Sequence, residues 1–123
     1  MKKKFIITLT YLLIFFNTNL FTNETKKILK VGLLAPLSGE YQELGNSLLH
    51  SLQLALDEIG DNRVLIIPRD SGFNNKEKLK AAILDIKSQG VKVVIGPISF
   101  EEFDEVKKYN DMVFISPSNI SSE

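Results

Sequence analysis

The sequence predicts an α/β protein built on a doubly wound parallel sheet. After Glu24, four short apolar segments rich in β-branched residues alternate with three segments of helical periodicity. The apolar segments lack polar alternation, which is typical of parallel strands that helices cover on both faces. Strand–helix–strand repetition of this kind forms a parallel sheet with right-handed crossovers.

Each apolar segment is interpreted as one buried strand. We expect the first strand to be central, with the second on one side of it and the third on the other. In that arrangement the loops after the first and third strands flank the crevice where doubly wound sheets bind ligands. The predicted strands are Ile28–Leu34, Val64–Pro68, Val91–Gly96 and Met112–Ser116.

The first helical segment is the longest and ends at Gly60, a residue typical of the position after a helix. Apolar residues recur in it at steps of three and four, which predicts one buried stripe. That stripe consists of Leu44, Leu48, Leu52, Ala55, Leu56 and Ile59.

The other two helical segments are shorter and carry recognisable end signals. Asn74 or Asn75 is the predicted N-cap of the second helix, and Ser99 with Glu102 forms a predicted capping box at the third. Gly90 follows the second helix. The apolar stripes are Leu79, Ala82, Ile83 and Ile86 on the second helix, and Phe103 and Val106 on the third.

Residues 1–23 are typical of a secretory signal peptide. Lys2, Lys3 and Lys4 precede an apolar run from Phe5 to Phe16, which is shorter than the ~20 residues that a membrane-spanning helix needs. No small-residue cleavage site is visible, so an uncleaved N-terminal anchor is the alternative. We therefore expect export from the cytoplasm, with membrane contact only through this segment, and a separate domain over residues 24–123.

The composition argues against several classes of function. From Glu24 onward the chain has 12 basic and 15 acidic residues, without the basic clustering that nucleic-acid binding requires. It has no cysteine and no phosphate-binding glycine loop, and its one histidine, His50, has no nucleophile beside it. We therefore expect a non-enzymatic protein without a metal or a cofactor.

The acidic cluster at the start of the third helix is explained by the helix dipole. It comprises Glu101, Glu102, Asp104 and Glu105, and Lys107 and Lys108 follow it. Acidic residues near the N-terminus and basic residues near the C-terminus each stabilise a helix by ~0.3–1 kcal/mol. The carboxylates would also make the crevice unfavourable for an anionic ligand group.

The two loops that flank the predicted crevice are alike. Ser38 and Gly39 follow Pro36 after the first strand, and Ser99 follows Pro97 after the third. A serine near a helix N-terminus offers a hydroxyl and a backbone N–H to a polar group. Both serines are therefore candidate ligand-binding residues, and helix capping or turn formation is the alternative for each.

The ordered series of motifs resembles the type I periplasmic binding proteins. The stretches that carry the resemblance are "VGLLAPLSGEYQELGNSLLHSLQLALDEI", "LIIPRDSG", "VKVVIGPISFEE" and "VFISPSN". They are similar to two groups, the leucine and branched-chain amino-acid receptors and the penicillin-binding protein activators. The "PRDSG" and "IGP" turns resemble the activators in particular. Family members are several times longer, so residues 24–123 are interpreted as the first part of an N-terminal lobe.

The resemblance implies a ligand site after the first, third and fourth strands. Its residues in this sequence would be Ser38, Gly39, Ser99, Phe100, Ser118 and Asn119. Phe100 and Ile120 stand where the family usually has small hydroxyl residues, and their lack of hydrogen-bonding groups argues against a free amino acid.

Two functions follow from the resemblance, and both imply a periplasmic location. The favoured one is an activator-like regulator of cell-wall synthesis whose partner is a cell-wall synthase. The alternative is the solute-binding component of an ABC transporter, with an amino acid or short peptide as the small polar molecule bound between two lobes.

Overall fold

The computed structural model describes residues 27–117 of the chain. Four strands and three helices alternate along this range, as the sequence predicts. They are β1 (Leu29–Ala35), α1 (Gln42–Ile59), β2 (Val64–Asp70), α2 (Lys76–Ser88), β3 (Val93–Ile95), α3 (Phe100–Val106) and β4 (Val113–Ile115). The predicted signal segment, Ser118 and Asn119 lie outside the described residues.

The strands form one parallel sheet in the order β2-β1-β3-β4. β1 pairs with β2 along its whole length, from Leu29 opposite Val64 to Ala35 opposite Asp70. On its other side β1 pairs with β3, where Gly32 is opposite Val94. The predicted central position of the first strand is confirmed, and with it the α/β class with a doubly wound parallel sheet.

One face of the sheet carries the main hydrophobic core. The predicted stripe of α2 is fully buried there, since Leu79, Ala82, Ile83 and Ile86 all lie in the interior. They pack with sheet residues Leu34, Ile67 and Val94 and with Val106 of α3. Gly32 provides the space for this packing, because a Cβ on it would lie 3.0 Å from Ile86.

The predicted burial of the α1 stripe is wrong for the described part of the chain. Gly45 is the buried residue of this helix, Leu48, Leu52 and Leu56 are half-buried, and Leu44, Ala55 and Ile59 are exposed. The reason is the docking geometry: α1 approaches the sheet most closely in its first turns, at the loop that follows β1. None of the helices within residues 27–117 is long and apolar enough to cross a membrane.

The sheet face opposite the main core is covered at its centre and open toward β4. On this face Leu33 and Ala35 of β1 are fully buried, whereas Val113 and Ile115 of β4 are 58% and 51% exposed. β2 and β4 are the outer strands of the described sheet. The carboxyl ends of β1, β2 and β3 lie side by side at one edge, and the candidate site is built there.

Candidate functional site

Three loops meet at the carboxyl edge of the sheet. The loop after β1 contains Ser38 and Gly39, the loop after β2 is taken from Asp70, the last residue of that strand, to Asn75, and the loop after β3 ends at Ser99. Because β1 lies between β2 and β3, its loop is placed between the other two. We call the loop after β2, residues 70–75, the hub loop, because it bonds to both of the others.

Asp70 joins the hub loop to the loop after β1. Its Oδ1 accepts the backbone N–H groups of Leu37 and Gly72, each at 2.9 Å. Its Oδ2 accepts the Ser38 hydroxyl at 2.5 Å and lies 2.6 Å from the Lys78 ammonium. Lys78 also donates to Ser38 Oγ at 2.8 Å. The carboxylate therefore holds both loops and the first turns of α2 in one network.

The electrostatics of this network favour the charged carboxylate. Partial burial acts to raise the pKa of Asp70, but the bonds from Lys78, Ser38, Gly72 and Leu37 together lower that pKa to about 2. Hydrogen bonds to the charged form of a carboxylate favour that form. Asp70 is therefore ionised at neutral pH, and Lys78 neutralises it locally.

Ser99 joins the hub loop to the loop after β3. Its hydroxyl donates to Asn74 Oδ1 at 2.7 Å and accepts the backbone N–H of Glu102 at 3.2 Å. Ser99 is thus the N-cap of α3, as predicted. The reciprocal half of the predicted capping box is absent from the described contacts, because the Glu102 carboxylate accepts the backbone N–H of Asn74 instead, at 3.1 Å.

The hub loop has an unusual backbone at its centre. Phe73 and Asn74 have φ values of 40° and 59°, in the left-handed region that is unfavourable for residues with a side chain, particularly a bulky one such as Phe73. Asn74 is held there by Ser99 and Glu102. Phe73 stacks on Tyr41, which lies in the loop after β1, with ring centroids 3.9 Å apart. Asn75, rather than Asn74, caps α2 by accepting the backbone N–H of Lys78.

A groove lies on the other side of β1, between α1 and the loops that follow β3 and β4. Its volume is about 320 Å³, and its lining is Leu44, Ser47, Leu48, Ser51, Ile98 and Pro117. The hydroxyls of Ser47 and Ser51 donate to carbonyl groups one turn earlier in α1. The described lining is therefore uncharged and mostly apolar, and the hydroxyl hydrogens of its two serines are already in hydrogen bonds.

The structure separates the predicted site residues from this groove. Ser38 and Ser99 both bond to the hub loop, and neither contributes to the groove lining. Gly39 is exposed with a φ of 80°, and the Phe100 side chain is 49% exposed at the start of α3. Ser118 and Asn119 lie outside the described residues. Whether any of the six binds a ligand stays a prediction.

The sequence patterns do not predict the network that Asp70 organises. The second predicted strand ends at Pro68, and no contact between Asp70 and Lys78 is predicted. The "PRDSG" turn is the signal in the sequence, since an aspartate before serine and glycine often accepts a backbone N–H two residues on. The contacts with Ser38 and Lys78 depend on how two separate loops meet, which local sequence does not encode.

The histidine and most acids of the described residues lie at the surface. His50 is exposed on α1. Within residues 27–117 no group of three acidic or histidine side chains is arranged to hold a metal ion. Two acids of α3 form surface ion pairs, Asp104 with Lys107 and Glu105 with Lys76 and Lys108. Glu101, which is exposed, and Glu102, which is buried, form no ion pair with a described residue.

The fold and the crevice define the class of protein. The family model for periplasmic binding proteins matches residues 28–123. The chain belongs to that family, and the described residues form part of a type I lobe.

Solved structures extend the comparison to a particular protein. The crystal structure of full-length LpoA from Haemophilus influenzae at 1.97 Å superposes with a TM-score of 0.62 at 23% identity, covering 79% of this chain and 18% of LpoA. A monoclinic form of Haemophilus influenzae LpoA gives a TM-score of 0.62 at 22% identity, covering 78% and 17%. The chain thus spans less than a fifth of LpoA, and at this identity the likeness shows a shared fold. No curated protein sequence matches the chain.

Proposed function

We propose that this chain is a non-catalytic, periplasmic regulator of cell-wall synthesis that acts by binding a synthase. The observation that carries the proposal is the engagement of Ser38 and Ser99 with the hub loop. Each hydroxyl already donates its hydrogen, to Asp70 and to Asn74 respectively. A receptor for a free amino acid needs hydroxyl groups that are free to bond to the ligand. A polar head group left without a partner in a closed site lowers the affinity.

The structural comparison also supports a regulator of cell-wall synthesis. LpoA is a penicillin-binding protein activator, and the "PRDSG" and "IGP" turns resemble that group. In this protein the last three residues of the "PRDSG" turn begin the hub loop, which joins the other two loops through Asp70 and Asn74. The loops at this edge of the sheet bond to one another. Such an edge is better suited to presenting a surface to a partner protein than to enclosing a solute.

A solute-binding role in an ABC transporter is the second candidate. The groove of about 320 Å³ beside β1 favours it, because that volume lies within the range of small-molecule sites, ~300–1,000 Å³. Its apolar lining suits the side chain of an amino acid or short peptide. The polar head group of such a ligand would need hydrogen-bond donors from residues outside the groove.

Binding to immobilised, purified cell-wall synthases tests the proposal. We expect saturable binding of the full-length chain to at least one synthase, and no competition from free amino acids. Gly45→Ala, which we expect to lose the fold, is the control that separates specific binding from apolar adhesion. Absence of binding to every synthase, together with saturable binding of an amino acid or peptide, would favour the transporter component instead.

A further inference from the structure

Among the described residues of α3, Glu102 is the buried acidic residue. It is 2% exposed, and its Oε1 accepts the backbone N–H of Asn74. Its Oε2 is buried and has no hydrogen-bond partner within residues 27–117. A buried carboxylate oxygen without a partner is costly, because it has lost water and gained nothing in exchange. The proposed function makes no use of this atom.

A cavity adjoins Glu102 between the first turns of α2 and α3. Its volume is about 230 Å³, and its lining is Asn74, Lys76, Leu79, Glu101, Glu102 and Glu105. That volume is below the range of drug-sized ligand sites, ~300–1,000 Å³. It suits a single side chain or a small molecule with few heavy atoms. Leu79 supplies an apolar surface, and the carboxylates supply the charge.

The charged groups of the cavity lining that are not already in ion pairs are negative. Lys76 is held by Glu105, with its ammonium 3.1 Å from the carboxylate and its side chain 77% exposed at the rim. Glu105 also binds Lys108. Glu101 is exposed and forms no ion pair with a described residue. Glu101 and Glu102 are therefore the two carboxylates of the lining that no described cation neutralises.

We propose that this cavity binds an alkylammonium or alkylguanidinium group. The cation would bond to the free oxygen of Glu102 and to Glu101, and its alkyl stem would contact Leu79. Bonds between a cationic donor and a carboxylate are about twice as strong as neutral ones. An organic cation fits better than a metal ion, since the described acids are not arranged as metal ligands. The site is independent of the proposed function and holds for either candidate.

Titration monitored by backbone amide NMR shifts tests the site. The probes are agmatine, n-butylammonium and a capped tripeptide with a central lysine, compared with n-butanol and a capped norleucine tripeptide. We expect saturable shifts at Asn74, Leu79 and Glu102 with the cationic probes only. Glu102→Gln, which keeps the shape but removes the charge, should weaken binding about tenfold, the equivalent of ~1.4 kcal/mol.

Matched variants decide the interpretation. Glu58→Gln, at an exposed position on α1, should leave the affinity unchanged. If Glu102→Gln does not fold, Glu101→Gln replaces it and should weaken binding about threefold. Binding of the peptide alone would assign the site to a side chain of a protein partner, and binding of the free amines as well would assign it to organic cations in general. Equal affinity for the neutral probes, or no effect of either substitution, would overturn the proposal.

Discussion

Replacing Gly45 with alanine should unfold or severely destabilise the protein. A Cβ at this position would lie 2.1 Å from the carbonyl oxygen of Pro36 and 2.7 Å from its carbonyl carbon. Both atoms are backbone, so α1 and the loop after β1 must separate to relieve the overlap. Overpacking in an interior usually costs ~1–3 kcal/mol and occasionally more, and an overlap this close with backbone atoms lies at the upper end of that range or above it. Alanine's helix preference, worth ~1 kcal/mol over glycine, offsets part of that.

Chemical denaturation followed by circular dichroism measures this effect. We expect Gly45→Ala to lower the free energy of unfolding by about 2 kcal/mol or more. Gly60→Ala is the matched control, because nothing lies within 4 Å of its added Cβ although its φ is 67°. Gly60→Ala should lower the free energy of unfolding by only ~1–2 kcal/mol, the cost of holding an alanine in the left-handed backbone conformation. A smaller loss for Gly45→Ala than for Gly60→Ala would show that α1 does not dock as described.

Replacing Asp70 with asparagine should disconnect the hub loop from the loop after β1. Asparagine keeps the shape and one acceptor oxygen, but it loses the charge that faces Lys78 and the second acceptor for Ser38. The lowered pKa of Asp70 indicates that the folded state favours the charged carboxylate. After allowance for solvent screening at this partly exposed site, we expect a loss of about 1–2 kcal/mol at pH 7.

The same substitution should change how stability depends on pH. The pKa of Asp70 is about 2 in the folded state and ~3.9 in an unfolded chain. The folded-state value is depressed, so the contribution of Asp70 is present above pH ~4 and is lost as the pH falls toward 2. The difference in stability between the wild type and Asp70→Asn should therefore shrink between pH 4 and 2. A difference that stays constant over this range, measured beside Asp57→Asn on exposed α1, would contradict the network.

The elements were predictable because their signals are local. Leu79, Ala82, Ile83 and Ile86 recur at helical spacing, and the structure buries all four. Ser99 sits three residues before Glu102, and it caps α3. In each case the residues that form the feature lie within about two turns of one another, so a short window of sequence contains the whole pattern.

The candidate site was less predictable because its contacts join distant residues. Ser38 meets Asp70, 32 positions away, and Lys78, 40 positions away. Glu102 bonds to Asn74 rather than to its own helix end, since the hub loop comes closer than the capping pattern assumes. The exposure of Leu44 likewise depends on where α1 meets the sheet. These outcomes are decided by tertiary packing.

Calorimetric titration of the full-length chain with free amino acids and short peptides tests the central claim most directly. That claim is that Ser38 and Ser99 bond to the hub loop, so that neither hydroxyl hydrogen is available to a polar head group. We expect no free amino acid to bind with a dissociation constant below ~1 mM, about −4.1 kcal/mol, and we expect the same result for Ser38→Ala. Micromolar binding of a free amino acid that is lost in Ser38→Ala would contradict it.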